Sequence, residues 1–153
     1  MQSRILYTEG KGHFAEGTIE IGDLAPNEIR VASKKTGVCR SDIDMMNGNF
    51  GPLPLNMQGH EGLGEVADVG TQITDVKVGD FVATRGEPAY ADFYNALDGT
   101  YVKVPSLDPK YIVEPVACGL NVVMQEETQF ETRNNKNAKL CLIGSGFLAW
   151  VVY

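Results

Sequence analysis

The chain has little cysteine and no cysteine pair. Cys39, Cys118 and Cys141 stand alone in 153 residues. An odd count without close spacing excludes a disulfide framework and points to a reducing compartment, the cytoplasm. Basic residues are also scarce, with 13 Lys and Arg against 20 Asp and Glu and a formal net charge of -7. Nucleic acid is therefore excluded as a partner, because phosphate binding rests on clustered cations. No run of like charges forms an electrostatic tail. "MQSRILYTEG" lacks the apolar core of a signal peptide. The longest apolar stretch lies near the C-terminus and is interrupted by glycine and serine. It falls short of the roughly 20 residues that span a bilayer, so no membrane partner is expected.

What the chain does have is glycine, 17 in all, and 43% hydrophobic residues. Short strand-like runs separated by Gly, Pro, Asn and Asp fill most of its length. "SRILYT", "GTIEIG" and "EIRVASKKTGV" come first, the last two joined by the turn "DLAPN". "GLGEVADVG" and "DFVATR" follow, and "AYADFYNA" and "TYVKVP" read as one more pair across "LDGT". The pattern predicts a mainly β fold with short helices, a small barrel or a sandwich. "CRSDIDMMNG" predicts a short helix ending at Gly48. "DPKYIVEPVACGLNVVMQ" has helical spacing, with Asp108 as cap and Pro109 at the first position, interrupted near Glu114 by Pro115. The polar "EETQFETRNNKNAK" reads as a loop, which places a domain boundary between 1–136 and 137–153.

Two histidines can be weighed singly. His13, in "GKGHFAEG", reads as a solvated loop residue. His60, in "NMQGHEGLGEV", stands beside Glu61 between glycines that leave room for a close approach of another group or a metal. A surface histidine is the plain alternative. Cys39 in "TGVCRSD" supplies a thiol, and Glu114 supplies a carboxylate in an apolar stretch, where charge is costly unless paired or metal-bound. Cys39, His60, Glu61 and Glu114 together offer the donor types of a catalytic zinc, drawn from distant parts of the chain. Cys118 and Cys141 read as small buried hydrophobes. Near the end, "LCLIGSGFLA" has the G-x-G-x-x-A spacing of a dinucleotide fingerprint, which needs a strand before it and a helix after it.

"TGVCRSD", "GHEGLGEVADVG", "VGDFVA", "VEPVACGLNVV" and "AKLCLIGSGFLA" occur in this order. In that order the chain resembles the medium-chain, zinc-dependent alcohol and polyol dehydrogenases, from about Arg4 to its last residue. The resemblance implies a GroES-like β-barrel catalytic domain over 1–136. It also implies the first strand and glycine turn of a Rossmann domain over 137–153. It implies one catalytic zinc on Cys39 and His60, with Glu114 as third ligand and Glu61 a direct or exchanging one. Asp42 would orient His60, or else cap a helix. Ser41 would take the alcohol proton, or else cap a turn, with Asp44 further along the relay. Arg40 would touch the pyrophosphate of NAD or NADP, or else be a solvated surface residue, and Gly144 and Gly146 would approach the same pyrophosphate. The substrate would be a small alcohol, polyol or sugar.

Three departures qualify the resemblance. Asp44 stands where many relatives have histidine, and a carboxylate's ordinary pKa of about 3.9 suits a neutral-pH relay less well. The four-cysteine cluster of a structural zinc is missing after "VGD". Members of the family are more than twice as long, so the chain reads as a truncated catalytic portion, inactive alone. The rival expectation is a non-catalytic metal-binding or protein-interaction module. Its apolar tail "LCLIGSGFLAWVVY" would pair with another chain or a second copy.

Overall fold

The fold is taken from a computed structural model that describes all residues except 52, 53, 55, 56, 126–133, 136, 138 and 140. Two compact units divide the chain, Met1–Ile112 and Val113–Tyr153.

The first unit is built on antiparallel strands. β1 (Gln2–Tyr7) and β2 (Ala15–Glu20) form a two-stranded ribbon. β3 (Glu28–Thr36), β4 (Gly62–Val69), β5 (Phe81–Thr84), β6 (Phe93–Leu97) and β7 (Tyr101–Val104) form a five-stranded sheet in the order β6-β3-β4-β5-β7. All seven predicted strand runs are strands. The pairing differs from the expectation at "LDGT": β6 pairs with β3 and β7 with β5, so the turn links the two outer strands of the sheet. A turn signal reports where the chain reverses. Which strands become neighbours is set by burial of their apolar faces.

β3 and β4 are the long central pair. Ile29 and Val31 alternate inward with period two and are fully buried. They pack with Val66, Val82, Tyr94, Ala96 and Tyr101 in one core. Each buried Ile or Val side chain there contributes about 1.5–3 kcal/mol relative to exposure. Tyr94 brings a hydroxyl into this core and shares a 2.6 Å hydrogen bond with Thr84. Burial pushes its pKa up to about 12. The ribbon is tied on through the Ile5–Ala91 bridge and the Ser3–Phe93 hydrogen bonds.

Between β3 and β4 the chain makes α1 (Arg40–Met46). Cys39 is its extended N-cap, and the carboxylate of Asp42 accepts a 2.7 Å hydrogen bond from the Cys39 amide. The helix ends at Asn47, and Gly48 turns the chain away at φ +80°, a conformation that strains any other residue.

Asp108 accepts a hydrogen bond from the Lys110 amide and caps a 3-10 turn, Pro109–Tyr111, still in the first unit. In the second unit, α2 (Glu114–Met124) starts afresh with Pro115 in its first turn. The expected interruption near Glu114 is thus a helix start, where proline's missing N–H costs nothing. α3 (Phe147–Val152) follows, with Gly146 as its N-cap, and Gly119 of α2 lies against Val151. Residues 141–145 are not in a strand, and Leu140 and the polar loop before it lie largely outside the described residues. Cys118 and Cys141 are exposed rather than buried. The Cys118 thiol donates to Glu114 Oε1 one turn back.

Candidate metal centre

The site forms where the β3–β4 ladder ends. Thr36 pairs with Gly62, and one step further the Gly37 amide donates to the Glu61 carbonyl at 2.9 Å. This register runs residues 37–39 alongside 60–61. Cys39, His60 and Glu61 converge, with one ligand atom from each lying within 4.8 Å of the others. Among the described residues they are the group of this kind that the structure assembles. A single ion about 2.0–2.3 Å from each donor is within reach of small side-chain rotations.

Glycine keeps the space open. A Cβ on Gly37 would fall 1.8 Å from Glu61 Oε2, so only glycine lets that carboxylate lie against the β3 exit. Glu61 is buried, as is Asp42 at 1% exposure. Two enclosed carboxylates beside a thiol are an expensive cluster unless a cation joins them. Asp42 Oδ2 is occupied by the Cys39 amide, whereas Oδ1 has no hydrogen-bond partner and lies 4.0 Å from His60 Nδ1. A small ring shift would close that gap and leave Nε2 as the metal-facing nitrogen. The two readings of Asp42, cap and orienter, are compatible: Oδ2 serves the cap, and Oδ1 is left facing His60. The donor set, the glycine cradle and the orphaned oxygen all fit a zinc ion.

The remaining expected residues fall in different places. Ser41 is half-buried in the first turn of α1. Arg40 is mostly exposed and lies 3.4 Å from Asp44 Oδ2 across one helical turn, while Asn49 donates to Asp44 Oδ1. Glu114 is buried at the start of α2 in the second unit. Gly144, at φ +115°, and Gly146 flank the turn before α3. His13 is exposed, as expected for a loop residue.

Sequence reasoning missed Tyr90. Its ring fills the space above Gly59, where a Cβ would come within 2.5 Å of it, and its hydroxyl donates to the Gly37 carbonyl at 3.4 Å. Burial, and then the Asp42 carboxylate with Glu61 and Cys39 behind it, push the phenol's pKa far up. Tyr90 stays a hydrogen-bond donor throughout the physiological range. The glycine before His60 was the available signal, since it leaves room for something large.

The fold and the site together define a mainly β domain with a Cys-His-Glu cluster at the end of its central ladder. The chain belongs to the alcohol dehydrogenase GroES-like domain family, whose profile matches residues 25–117. It is 35% identical over 107 residues to an L-arabinitol 4-dehydrogenase of Aureobasidium melanogenum, covering 60% of this chain and 29% of that protein. It is 37% identical over 70 residues to an alcohol dehydrogenase of Schizosaccharomyces pombe, covering 44% and 20%. The crystal structure of galactitol-1-phosphate dehydrogenase from Escherichia coli shares the fold, with a TM-score of 0.65 at 20% identity, covering 78% of this chain and 43% of that one. The chain thus spans under a third of the length of the first curated relatives it matches. No helix among the described residues is long and apolar enough to cross a membrane.

Proposed function

We propose that this chain is the metal-holding catalytic portion of an NAD(P)-linked alcohol or polyol dehydrogenase. The observation that carries the proposal is the convergence of Cys39, His60 and Glu61 within 4.8 Å in a chain of this family. Three protein donors are the number a catalytic zinc takes, with a fourth position left for water or substrate. Bound there, zinc supplies Lewis-acid chemistry that makes an alcohol hydroxyl easier to deprotonate.

The chain's own residues take the other roles. Asp42 Oδ1, 4.0 Å from His60 Nδ1, would accept from it after a small ring shift and fix the ring. Ser41 Oγ, two residues from Cys39, is the proton acceptor for the substrate hydroxyl, and Asp44 one turn on passes the proton towards solvent. Buried Glu61 and Asp42 keep the centre negative enough to hold a dication. Arg40, mostly exposed at the helix start, meets a cofactor phosphate. Gly144 and Gly146 give the turn through which backbone approaches a pyrophosphate. The likeness to an L-arabinitol 4-dehydrogenase supports a polyol or related secondary alcohol as the substrate class.

Metal content tests the reading. Protein purified without chelator should carry about one zinc per chain, and Cys39→Ala should carry none while remaining folded. A folded wild type that takes up no zinc overturns it.

A further inference from the structure

Tyr90 joins three segments that are far apart in sequence. Its amide donates to the Gln58 carbonyl at 3.1 Å, and the neighbouring Ala89 amide donates to the Gly59 carbonyl at 3.0 Å. Those bonds clamp the two residues just before His60. Its carbonyl accepts from the Leu6 amide of β1 at 3.1 Å. Its hydroxyl donates to the carbonyl of Gly37, two residues before Cys39. Phe14 packs edge-on against the ring with centroids 6.0 Å apart, so the phenol is held from the outer side as well.

We propose that Tyr90 is a positioning residue for the metal centre, its hydroxyl holding the Gly37 carbonyl while its backbone holds Gln58, so that the Cys39 and His60 segments keep a fixed separation. This rests on the zinc reading given above. The backbone clamp sets where His60 begins, and the hydroxyl sets where Cys39 ends. Without the hydroxyl, the ring would still fill the space over Gly59, but nothing from that ring would hold the β3 exit. Tyr90 touches no substrate in this account. It acts through the ligands, by keeping the donor atoms gathered before the ion arrives.

Two hydroxyl deletions separate positioning from general stability. Tyr90→Phe keeps the ring, its packing and every backbone bond. Tyr94→Phe removes a buried hydroxyl of the same core that bonds Thr84. Cobalt(II) titration of the 153-residue chain, followed by its thiolate charge-transfer and ligand-field bands, reads metal affinity and geometry without any activity. Thermal unfolding in chelator reads stability. Tyr90→Phe should weaken cobalt binding about tenfold, at the low end of what outer ligands to a metal site contribute, and shift the ligand-field bands, with little change in chelator midpoint. Tyr94→Phe should lower the midpoint and leave cobalt affinity near wild type. Equal affinity and bands in wild type and Tyr90→Phe overturn the proposal, as does an equal loss in both variants. A wild type that binds no cobalt at all overturns the zinc reading first and this inference with it.

Discussion

A side chain that another residue could not replace is the most informative unit at this site. Gly37 is one. A methyl group there would collide with the Glu61 carboxylate, so Gly37→Ala must push Glu61 or the β3 exit aside. We expect a loss of about 1–3 kcal/mol in chemical denaturation, the usual range for overpacking, together with weaker cobalt binding. Unchanged binding would show that Glu61 is dispensable. Asp42 is another. Asp42→Asn puts an amide where the carboxylate now accepts from Cys39 and faces His60. Isothermal titration should show metal affinity falling about 10- to 100-fold. At this scale the sequence was readable where chemistry is concentrated: a thiol, an imidazole and a carboxylate beside glycines are the side chains that the structure gathers. Tyr90 was not readable, because a tyrosine in a run such as "AYADFYNA" looks like any half-buried strand residue until the chain that it faces is known.

At the scale of elements, the central ladder decides whether the site exists. β3 and β4 lie so close that a Cβ on Gly64 would sit 2.5 Å from the Ala32 carbonyl oxygen, which is backbone and cannot swing away. Gly64→Ala should therefore force the two strands apart, by about 1–3 kcal/mol in urea unfolding, and should weaken metal binding from a distance. A variant as stable as wild type would mean that the bulges between Arg30 and Val31 and between Ser33 and Lys35 absorb the strain. Strand positions were legible because alternation and turn residues are local properties. Strand neighbours were not, and "LDGT" shows why: its turn is tight, the Thr100 amide and hydroxyl both returning to the Leu97 carbonyl, yet β6 and β7 go to opposite sides of the sheet. Pairing is a long-range choice, decided by which apolar faces can share one core. The interruption at Pro115 was legible for the opposite reason, since proline's effect is confined to one turn.

For the whole molecule, stability should depend on alkaline pH through the core. Tyr94 is fully buried and its pKa is raised from 10.0 to about 12 by that burial. A raised pKa means that the folded chain holds the phenolic proton where the unfolded chain has released it. The contribution is complete below about pH 10 and is lost as pH climbs through about 12, at most about 1.4 kcal/mol per pH unit. Urea midpoints measured from pH 9 to 12 should fall in wild type and fall less in Tyr94→Phe. Parallel curves would place the alkaline transition elsewhere. The acidic balance of the chain acts in the same direction, since deprotonating tyrosines adds to a formal charge already at -7.

The donor set also has a topological consequence. Cys39 and His60 bracket a loop of roughly 20 residues, and an ion gripping both would close it as a covalent cross-link does. Most of the gain from such a closure comes from the disordered chain, which loses freedom it would otherwise have, about 3 kcal/mol for a loop of this order. The metal would then be a fastener of the fold as much as a reagent, and a chelator would shorten the lifetime of the folded chain before it had any bearing on a substrate.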